Sequence, residues 1–258
     1  MSIELAFRER GSGTPMVLLH AFPLWSAVFD AQLDGLAGQA RIIAPDLRGF
    51  GASPGPGSDE PSLDLMADDV VALLDRLDVD RCCLGGMSMG GYVAMAVRRR
   101  HPDRVGSLVL IDTKAAADDP AARENRERIA RAVLDNGARA LRPMIDTLLG
   151  ETTRASRPDV VATVTGWLDA ARPEAVAWAQ RAMAARPASF DVLGSADLPA
   201  FVLVGEEDAV TPHDQAMAVA DAFPRPTPVY VIPGAGHLSS VENPDSVTDA
   251  LRDVLARL

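Results

Sequence analysis

Six short runs govern what this chain can fold into: "MVLLHA" from Met16, "RIIAPD" from Arg41, "RCCLGG" from Arg81, "SLVLID" from Ser107, "AFVLVG" from Ala200 and "PVYVI" from Pro228. Nearly every residue in them is apolar, which is the pattern of strands covered on both faces. Strands of that kind need helices on both sides of their sheet, and helical spacing fills the intervals. It runs from Trp25 to Leu36, Ser62 to Leu77, Met89 to Arg100, Pro212 to Phe223 and Pro244 to Leu258. In the second of these Met66, Val70, Leu73, Leu74 and Leu77 share a face, while Asp64, Asp68, Asp75 and Asp78 lie largely elsewhere. The alternation predicts right-handed crossovers and a doubly wound, mostly parallel α/β sheet.

From about Ala115 to Phe190 the alternation stops, and two long stretches keep helical spacing with no strand between them. Strand and helix resume at Leu198, so the expected organisation is an α/β core in two parts, 1–114 and 194–258, interrupted by a helical insertion at 115–193. The cluster "GFGASPGPGSDEPS" is a loop by its turn chemistry. The segment "SIELAFRER" has room for one or two short strands, giving a sheet of seven or eight.

With 258 residues, 48% of them hydrophobic, the chain can bury a sizeable core. Its formal net charge of -11 disfavours nucleic acid and anionic membrane surfaces as partners. The one basic run, Arg98 to Arg100, suits a solvated helix end. No apolar run approaches the ~20 residues of a membrane span, and no charged n-region precedes an apolar one, so a cytoplasmic location is expected. Cys82 and Cys83 are adjacent; in a strand they point to opposite faces and cannot readily bridge each other. No His, Glu and Cys cluster has metal-ligand spacing, so no metal is expected.

The chemistry gathers after the third run. Gly86-Met87-Ser88-Met89-Gly90 fits G-x-S-x-G between a strand and a helix, a turn so sharp that the residues two before and two after the serine must lack side chains. Ser88 would stand on that turn, with the helix N-terminus at Met89 offering free N–H groups to an oxyanion. A serine hydroxyl needs a base, and His237 lies on the Gly-rich loop after the last run, at the same sheet edge. His101 and His213 suit surface or capping roles, and His20 suits packing beneath the loop that follows it. The base in turn needs a carboxylate. Asp208, three residues after Gly205, is the preferred acid; Asp112, at the end of "LVLID", is its rival, and Glu206 and Glu207 are expected to be solvated.

The pieces "VLLHAFPLW", "RIIAPDLRGFGAS", "GGMSMGGYVA", "VGEEDAVTP" and "GAGH", in that order, resemble the α/β-hydrolase superfamily over nearly the whole chain. In particular they are similar to small bacterial hydrolases that include 3-oxoadipate enol-lactonases, cofactor-independent perhydrolases and related esterases. The resemblance implies an α/β-hydrolase fold with the insertion as a cap. It also implies an acyl-enzyme mechanism on Ser88, His237 and Asp208, needing no cofactor and acting on a small ester or lactone. It adds the Phe22 N–H as partner to the Met89 N–H in the oxyanion hole, although Ala21 stands where the family has glycine. Trp25, Phe29, Trp167 and Trp178, with Met144 and Met183, are candidate pocket walls, or else core. A perhydrolase or C–C bond hydrolase would use the same three side chains. A ligand-binding member of the fold could keep them without turnover.

Overall fold

The computed structural model describes residues 2–258. Seven strands form one sheet: β1 (Phe7–Arg10), β2 (Pro15–Leu19), β3 (Arg41–Pro45), β4 (Cys82–Met87), β5 (Val105–Ile111), β6 (Ala200–Gly205) and β7 (Val229–Ile232). Their order is β1-β3-β2-β4-β5-β6-β7. Only β1 runs antiparallel to its neighbour. The inner strands β4 and β6 are buried throughout, as runs without alternation require. Strand β7 is an edge, and its Val231 is 46% exposed, so "PVYVI" is covered less completely than its composition suggests.

The core helices are α1 (Asp30–Leu36), α2 (Leu63–Arg76) and α3 (Met89–Arg100). The insertion contributes α4 (Pro120–Asn136), α5 (Ile145–Leu148), α6 (Glu151–Ser156), α7 (Pro158–Asp169), α8 (Pro173–Ala185) and α9 (Phe190–Gly194), with no strand among them. The chain ends on α10 (His213–Asp221), α11 (Ser239–Glu242) and α12 (Pro244–Ala256). The helix expected from Trp25 begins later, because Ser26–Phe29 is a tighter 3-10 turn. On α2, Met66, Val70, Leu73 and Leu74 are buried, and the helix packs beside α3. Ser62 caps this helix, its Oγ accepting the Asp64 N–H at 3.1 Å.

The connections decide where a site can form. From β2 the chain moves outward to β3 on one side, and from β4 it moves to β5 on the other, so β2 and β4 lie side by side with their following loops turning apart. The crevice at the carboxyl ends of two such strands is where open α/β sheets hold their ligands. Here it receives the loop 20–23 from β2 and Ser88 from β4, with Leu19 paired to Gly86. No helix of the described residues is long and apolar enough to cross a membrane.

Candidate active site

Ser88 carries φ 53° and ψ -114°, a backbone conformation that side-chain-bearing residues rarely adopt. Its surroundings enforce that conformation. The Ser88 N–H donates to the Ile111 carbonyl at 2.9 Å, tying the turn to β5. A Cβ at Gly86 would meet the Gly90 carbonyl oxygen at 2.2 Å, and one at Gly90 would meet the Leu19 carbonyl oxygen at 2.1 Å. Strand, turn and helix therefore approach so closely that only hydrogen fits at these two positions.

Ser88 Oγ lies 2.8 Å from His237 Nε2, and His237 Nδ1 lies 2.9 Å from Asp208 Oδ2. With Asp208 ionised, the proton sits on Nδ1, so that Nδ1–H donates to the carboxylate and Nε2 accepts from the serine hydroxyl. Asp208 is itself fastened. Its Oδ1 accepts the N–H groups of Val210 (2.8 Å) and Thr211 (2.9 Å), and its Oδ2 accepts the Thr211 hydroxyl at 2.7 Å. Burial alone would raise the Asp208 pKa, but the charge of His237 and the bonds from His237 and Thr211 outweigh it and hold the carboxyl below its ordinary value. For His237 burial acts downward, and the Asp208 charge and hydrogen bond reverse it, leaving the imidazole above its ordinary value.

Sequence reasoning gave no signal for what holds the histidine loop. Glu242 is a buried carboxylate that accepts the N–H groups of Gly150 (2.7 Å), Gly236 (3.0 Å) and Leu238 (3.0 Å). The His237 N–H donates to the Leu148 carbonyl at 3.1 Å. Asp112, the rival acid, makes no hydrogen bond to His237: its oxygens accept the Gly205 N–H (2.8 Å), the Ser239 N–H (3.1 Å) and the Ser239 hydroxyl (2.6 Å). Burial, then the nearby Asp208 charge, push its carboxyl up to about 7. Glu206 and Glu207 are not merely solvated. Glu206 accepts the Gly234 N–H at 2.9 Å, and Glu207 accepts the Thr152 N–H at 2.8 Å.

The other histidines are spoken for. His20 is fully buried, its Nε2 accepting the Leu47 N–H and its Nδ1 bonded to the Ala21 carbonyl, each at 2.9 Å. Burial lowers it to about 4, so it stays neutral and braces the loop 20–23. His101 meets Asp68 at a helix end, and His213 opens α10. The Phe22–Pro23 peptide is cis, and Ala21 is not among the residues with positive φ, so its methyl group introduces no backbone strain. Among the described residues no acceptor takes the Phe22 N–H, nor the Met89 N–H at the first position of α3.

A cavity of about 440 Å³ opens over Ser88 and His237, with Phe22, Tyr92, Met144 and Met183 among its walls. The four aromatic residues expected there lie elsewhere. Phe29, the last residue of the 3-10 turn, is wholly buried in the core. Trp25 borders a different cavity of about 570 Å³, and Trp167 packs edge-on against it at 5.8 Å. The Trp178 indole donates to the Asp59 carbonyl at 2.7 Å, tying it to the loop 49–62, and it does not line the cavity over Ser88. Large aromatic side chains on insertion helices thus serve packing, while polar residues of α4 and the β5–α4 connection reach the cavity.

Residues 14–244 match the family model of the alpha/beta hydrolase fold, and the chain belongs to that family. A thermophilic esterase from Thermogutta terrifontis, solved with malate bound, superimposes with a TM-score of 0.95 at 41% identity, covering 99% of this chain and 94% of that one. The enol-lactonase from Burkholderia xenovorans LB400 follows at a TM-score of 0.88 and 25% identity, over 98% of this chain and 96% of that one. The dihydrolipoyllysine-residue acetyltransferase component of the acetoin cleaving system of Pseudomonas putida is 32% identical over 249 residues, 93% of this chain. The match spans only 62% of that longer protein.

Proposed function

We propose that the chain is a serine hydrolase that cleaves a carboxylic ester or lactone of a small molecule through an acyl-enzyme on Ser88. The observation that carries this reading is the continuous relay Ser88 Oγ, His237 Nε2, His237 Nδ1, Asp208 Oδ2, with links of 2.8 and 2.9 Å. His237 takes the serine proton as Oγ attacks the carbonyl carbon, and the oxyanion that forms is met by the Phe22 and Met89 N–H groups. Collapse of that adduct expels the alcohol, which takes the proton from Nε2. Water, deprotonated by the same nitrogen, then attacks the acyl carbonyl carbon, and collapse of this second adduct releases the acid as Ser88 Oγ takes the proton back from Nε2. Asp208 keeps the imidazole in the required tautomer and stabilises the imidazolium. The kinship with esterases and an enol-lactonase supports the same chemistry.

Labelling by a fluorophosphonate probe tests the reading. The folded wild type is expected to be labelled and Ser88→Ala not at all. A folded, unlabelled wild type would overturn it.

A further inference from the structure

The cavity over Ser88 carries more charge than ester chemistry requires. Lys114, Arg126 and Arg128 line it, against Asp118 as the one carboxylate among its lining residues, in a chain whose formal charge is -11. Asp118 is buried and lies within ion-pair distance of Arg186 (2.8 Å), of Lys114 (3.4 Å) and of Arg126. One carboxylate cannot neutralise three cations.

The three cations differ in what they have left to give. Arg186 is 5% exposed at its side chain and tied down by three hydrogen bonds: it donates to the carbonyls of Met183 (2.8 Å) and Ala116 (3.0 Å) and to Asp118, and its guanidinium lies 4.0 Å from the Tyr92 ring centroid. Its role is to fasten α8 to the connection before α4. Arg126 gives Nε to Asp118 and Nη1 to Gln180 Oε1 at 2.9 Å, and its Nη2 meets no acceptor among the described residues. Among the described residues, Lys114 has only the longer Asp118 ion pair. Both keep about a fifth of their side-chain surface open, at 18% and 23%, and both line the cavity that Ser88 lines.

The corner is joined to the nucleophile through a short path. Tyr92 sits one helical turn after Ser88, its N–H donating to the Ser88 carbonyl at 3.2 Å, and its ring is the surface on which Arg186 rests. From Tyr92 the contacts continue through Arg186 and Asp118 to Arg126. A guanidinium and an ammonium held partly out of water, with donors left over, are poorly matched to an uncharged acyl chain and well matched to an anion.

We infer that Lys114 and Arg126 form a carboxylate-recognition corner, so that the preferred substrate is an ester or lactone bearing a free carboxylate in addition to its scissile carbonyl. The inference rests on the hydrolase reading and adds the substrate class. Recognition of this kind acts on binding: it lowers KM for the charged substrate and leaves the relay of Ser88, His237 and Asp208 to do the bond cleavage.

The test compares monoethyl glutarate with its uncharged counterpart of the same shape, ethyl 4-carbamoylbutanoate. The wild type is expected to favour the charged ester by about tenfold or more in kcat/KM, mostly through KM, with the advantage shrinking as salt is added. In Lys114→Met and Arg126→Met the ratio between the two substrates falls towards one. Lys114→Met leaves both arginines on Asp118, which guards against loss through misfolding. Equal kcat/KM for the two esters in the wild type, or a preference that survives both substitutions, would overturn the corner while leaving the hydrolase reading intact. If neither ester is turned over, fluorophosphonate labelling decides the hydrolase reading separately. Calorimetric titration of glutarate into the otherwise intact Ser88→Ala protein then decides the corner: binding that Lys114→Met weakens supports it, and no binding sinks it.

Discussion

Ser239 hangs from Asp112 by two hydrogen bonds to a single oxygen, its N–H at 3.1 Å and its hydroxyl at 2.6 Å. The second oxygen of Asp112 holds the Gly205 N–H, so one buried carboxyl fastens the end of the strand that leads to Asp208 to the loop that carries His237. In Asp112→Asn, whichever way the amide turns, its NH2 group faces a donor. The expected cost is about 1–3 kcal/mol in denaturant unfolding, with kcat falling more than KM rises.

The same carboxyl makes stability depend on pH. Its folded pKa is raised to about 7, so the stability it contributes is complete below the ordinary carboxyl value of 3.8 and is lost as pH rises through about 7. Thermal melts at about pH 5 and about pH 8 should show a decline in the wild type that is smaller in Asp112→Asn. An identical decline in both proteins would count against this assignment.

The acid limb of the rate profile belongs to His237. Protonated Nε2 cannot accept the Ser88 proton, so kcat/KM for an ester should fall as pH drops through the His237 pKa, with a midpoint above the ordinary 6.5. Asp208→Asn removes the charge that raises it. That variant should shift the midpoint downward and lower kcat by about 10³–10⁴-fold.

Gly86 and Gly90 admit no side chain. Gly90→Ala would put a methyl carbon 2.1 Å from the Leu19 carbonyl oxygen, and backbone cannot give way as a side-chain tip can. Loss of fluorophosphonate labelling together with destabilisation of about 3 kcal/mol or more is expected, read by urea unfolding.

Away from the site, Arg48 and Asp69 are both fully buried and doubly bonded, Nε to Oδ2 at 2.7 Å and Nη2 to Oδ1 at 2.8 Å. Asp69→Ala removes both of these bonds from a buried guanidinium whose Nη1 still meets Asp59 at 2.9 Å, and should cost about 3 kcal/mol. The labelling of whatever fraction remains folded should be unchanged, since neither residue lines the cavity over Ser88.

Much of the fold was legible because it rests on local rules. Runs such as "CCLGG" and "FVLVG" carry their burial in their composition, and the apolar face of α2 lies in its spacing. The turn at Ser88 was legible for a related reason: a sterically forbidden backbone leaves glycines as its trace. Asp69 shows the limit: spacing puts it three residues after Met66 and four before Leu73, on the face that Asp68 avoids, but nothing in "LMADDVV" names the arginine that lets a carboxylate enter the core. Partners 21 residues apart decide it. The pocket walls show the same limit: of the candidates, Met144 and Met183 line the cavity over Ser88 and the aromatic residues do not. Size and aromaticity marked Trp25, Trp167 and Trp178, yet which face of an insertion helix meets Ser88 depends on how that helix is laid down, and Lys114 and Arg126 give no local sign of it.

The helices of the insertion are not hinged over the site as a free flap. Leu148, Gly150 and Thr152 are laced to His237, Glu242 and Glu207, so the segment that roofs the cavity also sets the height of the imidazole. Exchanging this roof for a relative's would therefore retune the base along with the walls. A chimera that ignored those three seams would inherit a new specificity pocket above a misaligned histidine.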